Sequence, residues 1–158
     1  MAESVYIESS IISYLAARPS RDIVIAARQT ITETWWKKRR GEFELYISAL
    51  VEQEISQGDT EAAKRRLKAI ENIPLIATSS EAQNLAEDLL AQGAIPANSE
   101  EDALHIGIAA AAGIDFLLTW NFKHINNAHA KSAIIAVVEA HGFVCPTLCS
   151  PEELGAEI

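Results

Sequence analysis

The sequence predicts a three-layer α/β/α sandwich around a central, mainly parallel sheet of four or five strands, and three observations lead there. Short apolar runs rich in β-branched and aromatic residues recur along the chain, each followed by a stretch of helical character. The run Asp115-Phe116-Leu117-Leu118-Thr119 is apolar without alternation, as expected of a parallel strand covered on both faces. At 158 residues, 49% of them hydrophobic, the chain has the size of one domain and enough apolar content for one substantial core.

The elements follow in order. Val5-Tyr6-Ile7 is a buried strand that ends in the polar turn Glu8-Ser9-Ser10, with Ser10 the expected N-cap of a short helix through Ile11, Ile12 and Leu15 that Pro19 ends. A longer helix is predicted over about Arg21 to Arg40, with Ile23, Ala26, Ala27, Thr30, Ile31 and Thr34 as its buried stripe and Gly41 as its end. Glu44 to Ser48 is the second strand, leading into a helix that carries Glu52 and Glu54, and Gly58-Asp59 breaks to a basic helix reaching about Ile70. Pro74-Leu75-Ile76 is a third strand, after which Ser79-Ser80-Glu81 opens a helix ending at Gly93. The loop Ile95 to Ser99 precedes a buried helix from Glu100 to Ala112, closed by Gly113. The apolar strand at Asp115–Thr119 comes next, then a helix near Lys131 to His141, an extended segment around Val144 to Leu148, and an acidic end.

Composition restricts the function. No stretch approaches the roughly 20 uncharged apolar residues of a membrane span, and the N-terminus lacks the basic and apolar regions of a signal peptide, so a cytoplasmic protein is expected. Cys145 and Cys149 lie too close together to staple a fold and have no partners at zinc-finger spacing; they read as ordinary thiols. A formal charge of -9 argues against a simple phosphate binder, because nonspecific affinity comes mainly from Lys and Arg. The basic clusters Lys37-Lys38-Arg39-Arg40 and Lys64-Arg65-Arg66 with Lys68 read first as solvated helix faces and second as RNA contacts.

In parallel sheets ligands gather beyond the carboxyl ends of strands, and Glu8 and Asn121 each fall just after one. Four pieces then occur in a telling order: Val5-Tyr6-Ile7-Glu8-Ser9-Ser10-Ile11-Ile12, Ile47-Ser48-Ala49-Leu50-Val51-Glu52-Gln53-Glu54-Ile55, Glu101-Asp102-Ala103-Leu104-His105-Ile106 and Phe116-Leu117-Leu118-Thr119-Trp120-Asn121. Together they span almost the whole chain, which in these pieces resembles the PIN-domain nucleases, in particular the VapC-like toxins of type II toxin-antitoxin pairs. The resemblance implies a PIN-like domain over residues 1–150 and an acidic tail over residues 151–158.

It further implies acids from separate segments around Mg²⁺ or Mn²⁺, hydrolysing RNA phosphodiester bonds to leave a 5′-phosphate and a 3′-hydroxyl. The implied catalytic and metal positions are Glu8, Glu54, Asp102 and Asn121. Glu8 and Asn121 depart from the commonest pattern, the first by an added methylene and the second by loss of charge. Such a set suits a hard divalent cation, which prefers oxygen ligands and bridges an acidic pocket to a polyanion. Single-stranded or structured RNA, a small antitoxin protein and a second copy of the chain are the implied partners.

Each residue also has an ordinary role. Glu8 could be a solvated turn residue, Asp102 could stabilise its helix through the macrodipole, and Asn121 could cap a turn. Glu52 competes with Glu54 from a different helix face; the family pattern favours Glu54. His105 fits a satisfied core histidine as well as an acid or base, while His124 and Lys123 could contact a phosphate. Ser9 and Ser10 are expected to bond the acids or cap the helix, Ser10 with substrate contact as a further option. Trp35 and Trp36 could stack on bases, pack in the core or, preferably, pack in a homodimer interface. The alternative function is a catalytically impaired PIN-like module that binds RNA or a protein. A nucleotide binder is disfavoured because no glycine-rich phosphate loop follows a strand.

Overall fold

The computed structural model describes residues 2–155. Its five strands are β1 (Glu3–Ile7), β2 (Phe43–Ser48), β3 (Leu75–Ile76), β4 (Phe116–Leu118) and β5 (Thr147–Cys149). They form one sheet in the order β3-β2-β1-β4-β5 with every neighbouring pair parallel. Seven α-helices complete the three-layer sandwich: α1 (Ser9–Ala16), α2 (Ile23–Lys38), α3 (Ala49–Ile55), α4 (Thr60–Ala69), α5 (Ser80–Ala91), α6 (Glu100–Ala111) and α7 (Lys131–Ala140). Helix α1 packs with α2, α3 and α4, while α5 packs with α6 and α7.

The order of strands fixes where a site can form. The chain builds outward from β1 through β2 to β3, then returns to the other side of β1 with β4 and β5. Between β1 and β4 the connections therefore leave in opposite directions and open a crevice at the carboxyl ends. The register pairs Ile7 with Leu118, and Glu8 N–H donates to Leu118 O at 3.1 Å, so Glu8 and Thr119 emerge side by side. The inner positions Val5, Tyr6, Ile7, Leu117 and Leu118 are all fully buried, which accounts for their unbroken apolar runs.

Helix α2 corrects the predicted stripe. Its buried residues are Gln29, Ile31, Thr32 and Trp35; of the predicted set only Ile31 is among them, and Ile23 is 85% exposed. The polar members can be buried because their bonds are met. Gln29 Nε2 donates to Arg18 O at 2.9 Å, Gln29 Oε1 accepts from Ser20 N–H at 3.0 Å, and Thr32 Oγ1 accepts from Trp120 Nε1 at 2.8 Å. Trp35 is likewise in the core, stacked on Phe43 with ring centres 5.8 Å apart, and so is closed to a base or a second copy. Trp36 is half-buried beneath the Arg40 guanidinium, 4.1 Å from the ring centre.

The cap of α1 also differs from expectation. Glu8, not Ser10, is the N-cap, its side chain accepting from Ser10 N–H at 3.2 Å. The predicted helix start at Ser79 is a cap, accepting from Ala82 N–H, and Ser48 and Asp59 cap their helices in the same way, accepting from Val51 N–H and Ala62 N–H. Helices α5 and α6 approach closely at Gly107, where a Cβ would stand 2.4 Å from Ala82 O. The acidic end begins packed against the domain, with Glu153 Oε1 accepting from Asn126 Nδ2 at 2.9 Å and from Ser150 N–H at 3.0 Å. Residues 156–158 of that segment lie outside the described residues. Among the described residues no helix is long and apolar enough to cross a membrane.

Candidate metal centre at the sheet switch point

Glu8 is held by the two strand exits that flank the crevice. It is buried, with Oε1 accepting from Ser10 Oγ and, at 2.6 Å, from Thr119 Oγ1. Both donors are themselves anchored to the β4 exit: Ser10 Oγ accepts from Trp120 N–H at 2.9 Å, and Thr119 Oγ1 from Asn121 N–H at 2.9 Å. A longer acid is thus pinned where a solvated turn residue would be free.

Glu54 reaches the same crevice from the last turn of α3. Its Oε1 accepts from Ser9 Oγ and from His105 Nε2, the latter at 2.6 Å. A carboxylate only accepts here, so His105 carries its proton on Nε2. Tyr6 Oη lies 2.7 Å from His105 Nδ1 and 2.8 Å from Ser48 Oγ, completing a buried chain from Ser48 to Glu54. Both side-chain hydrogen bonds to the Glu54 carboxylate fall on Oε1, and among the described residues no donor is bonded to Oε2. Glu52, by contrast, lines the cleft between α4 and β3 with Lys64 and Lys68.

The electrostatics follow from this burial. Desolvation pulls the fully buried His105 down, but the Glu54 hydrogen bond and the charges of Glu8, Glu54 and Asp102 outweigh it and raise its pKa above the ordinary value. Burial raises Glu54 in turn, yet the bond and charge of His105 and the Ser9 hydroxyl hold it below the ordinary carboxylate value. Burial also pushes the Tyr6 phenol far up, so it remains protonated.

One ligand atom from each of Glu8, Glu54 and His105 falls within 4.8 Å of the others. Asp102 stands in an adjoining group on the first turn of α6, one helical turn before His105. Its Oδ1 accepts from Asn121 Nδ2 at 3.1 Å and its Oδ2 from His124 Nδ1 at 2.7 Å. Asn121 Oδ1 accepts from His124 N–H at 2.9 Å, so both ends of that amide are engaged. Lys123 is exposed nearby in sequence, and the Ser10 hydroxyl is occupied by Glu8 and Trp120.

The sequence pointed to the acids but missed Tyr6, Ser48 and Thr119 as their supports. The available signal was a tyrosine within an otherwise apolar buried strand, since a buried phenol needs a polar partner. Two clefts, of about 500 and 540 Å³, lie elsewhere and include none of Glu8, Glu54 and Asp102. Among the described residues no thiol bonds to any of these groups; burial pushes Cys145 and Cys149 up to about 11 and about 12, which leaves them protonated and inert.

The donor set suits a hard divalent cation: two carboxylates from different elements, each steadied by hydroxyl or imidazole donors, with Asp102 outside that cluster but one helical turn before His105 on α6. No protein-family model and no curated protein matches the chain. Among solved structures the chain is similar to VapBC2 from Rickettsia felis bound to a DNA fragment from their promoter, at 18% identity and a TM-score of 0.49, covering 76% of this chain and 89% of that one. A likeness at that distance does not bear on activity or partners.

Proposed function

We propose that the chain is a PIN-type, metal-dependent endoribonuclease that hydrolyses RNA, acting as the toxin of a toxin-antitoxin pair. The observation that carries this reading is the gathering of Glu8, Glu54 and His105 within 4.8 Å at the switch point of a parallel sheet. Glu8, Glu54 and Asp102 would hold Mg²⁺ or Mn²⁺ through carboxylate oxygens. Such an ion supplies Lewis acidity, making water a nucleophile at neutral pH and offsetting charge that gathers on the phosphate.

The rest of the site prepares these acids. Ser10 and Thr119 fix Glu8, while Ser9 and the Ser48–Tyr6–His105 chain fix Glu54 through Oε1 alone. Asn121 and His124 orient Asp102. His124, holding its proton on Nδ1 against Asp102, presents Nε2 as an acceptor that can take a proton from an attacking water, and Lys123, beside it in sequence, is the group suited to a phosphate oxygen. The family reading adds a cytoplasmic homodimer neutralised by a small antitoxin protein.

A second reading, a catalytically impaired module that binds RNA or protein, is favoured by one observation. Asn121 stands at a position where the resemblance expects an acid, and its amide oxygen already accepts the His124 N–H. Thermal unfolding with added Mn²⁺ separates the two. The nuclease reading predicts a rise in midpoint for the wild type, with a linked stabilisation of about 2.7 kcal/mol when free ion reaches about 100 times the dissociation constant. Glu54→Gln should lose most of it. A wild type unmoved by Mn²⁺ and Mg²⁺ would favour the impaired module.

A further inference from the structure

Beside the acids lies an aromatic and cationic cluster that the metal centre does not use. Phe122 directly follows Asn121 and is 39% exposed. Its backbone is tied down, with its N–H donating to Trp120 O at 2.9 Å and its carbonyl accepting from Asn127 Nδ2 at 2.9 Å. Trp120 is buried and meets Phe122 edge to face, ring centres 5.8 Å apart at 82°. Tyr14 of α1 also meets Trp120 edge to face, ring centres 6.0 Å apart.

Arg28 of α2 closes over this cluster. Its guanidinium carbon is 5.1 Å from the Phe122 ring centre and 5.5 Å from that of Trp120. Arg28 Nη1 donates to Tyr14 Oη at 3.4 Å, and among the described residues Arg28 makes no ion pair. In a chain with 22 acids and only 13 Lys and Arg, an arginine spent on aromatic rings rather than on a carboxylate needs a reason. A guanidinium is planar, weakly hydrated and suited both to stacking and to phosphate. An exposed aromatic ring offers a face to any base.

We propose that Phe122 and Arg28 form a stacking subsite for one unpaired base of a single-stranded RNA, seating the adjoining phosphodiester toward Glu8, Glu54 and Asp102. The inference rests on the ribonuclease reading for the identity of its ligand. Two properties follow from the chemistry. The subsite tolerates any base, because every base has a π-face, and it rejects a continuous duplex, whose bases are already stacked on one another. It also supplies local positive charge that the overall balance of -9 lacks.

Fluorescence anisotropy in EDTA, where nothing is cut, tests this with a labelled oligouridylate and an abasic strand of equal length. The wild type should prefer the oligouridylate. Phe122→Leu should weaken that binding by roughly 5- to 150-fold, the range expected for one lost stacking contact, while leaving the abasic strand unaffected. Phe122→Tyr should restore the preference, and Arg28→Lys, which keeps charge but not the plane, should reduce it. Thermal unfolding confirms that each variant is folded; should Phe122→Leu unfold, Arg28→Lys carries the test alone.

Equal affinity of the wild type for both strands overturns the subsite, as does unchanged binding in the variants. No binding of either strand overturns it too, and leaves a protein partner as the better occupant of the patch. Cleavage with Mn²⁺ is scored separately. A wild type that discriminates the strands yet cuts no RNA removes the nuclease reading and retains the subsite, whereas one that cuts RNA and ignores Phe122→Leu does the reverse.

Discussion

Gly107→Ala should loosen α5 from α6 and lower stability even though it removes a glycine from a helix interior. The added Cβ would meet Ala82 O at 2.4 Å, Ala82 C at 3.2 Å and Ala86 N at 3.4 Å. Ordinary contact begins near 3.4 Å, so the two helices must part by about 1 Å at this point. None of the three can rotate away, because all are backbone atoms. Overpacking of this kind costs about 1–3 kcal/mol, and a backbone obstacle places it in the upper part of that range. Alanine recovers about 1 kcal/mol of helix propensity. The net loss is therefore about 1–2 kcal/mol, a fall in midpoint of roughly 2–8 °C for a chain of this length. Circular dichroism melts read the stability, and Mn²⁺ titration reads the site, since α6 carries Asp102 and His105 and its displacement should weaken metal binding. A midpoint equal to or above that of the wild type would refute the close-contact reasoning, since propensity alone predicts a gain.

Two further predictions concern charge. Asn121→Asp replaces an amide donor facing Asp102 Oδ1 with a second carboxylate, so the metal-free protein should melt lower while the stabilisation by saturating Mn²⁺ grows; unchanged melting with and without ion would remove Asn121 from the site. The pH dependence divides by residue: Glu54, with its pKa lowered on folding, contributes stability above its unfolded value of about 4.3 that is lost as pH falls through its folded value, whereas His105, with its pKa raised, contributes stability below about 6.5 that is lost as pH rises through its folded value. Urea unfolding of the metal-free wild type and His105→Gln should show a stability gap that narrows as the pH rises above the ordinary histidine value of about 6.5; a gap that widens would contradict the raised histidine.

How far the sequence revealed this molecule depended on how local each signal was. The runs at Val5–Ile7 and Phe116–Leu118 were legible because strands covered on both faces carry no polar positions. Ser79 announced its helix because a cap acts within three residues. Helix α2 was misread because polarity alone placed Gln29 and Thr32 outside, whereas bonds to Arg18, Ser20 and Trp120 allow them inside. The cap of α1 was misplaced for a related reason. Ser10 is drawn to Trp120 N–H across 110 residues, and Glu8 takes over the helix start.

The same distinction applies to the site. Glu8 and Asp102 stood out locally, one after a strand and one at the head of an apolar helix. The bond from His105 to Glu54 joins residues 51 apart, and that from Tyr6 to His105 spans 99, so neither leaves a trace in spacing. His105 is both things the sequence allowed: a core histidine with both nitrogens engaged and a member of the acid cluster. Trp120 and Phe122 gave no warning, since their arginine comes from α2, far earlier in the chain.

The most direct test of the central claim is Mn²⁺ binding and RNA cleavage measured together on Asp102→Asn. The substitution removes the charge and sacrifices one of two hydrogen bonds at this carboxylate, a cost of about 1 kcal/mol, so the variant should stay folded by thermal unfolding. A metal-ligand role predicts that Mn²⁺ binding falls sharply and that cleavage of single-stranded RNA disappears in the folded variant. A role confined to steadying the α6 N-terminus predicts a stability loss of about 0.3–1 kcal/mol with binding and cleavage retained. Wild-type metal affinity and full activity in Asp102→Asn would contradict the proposed centre.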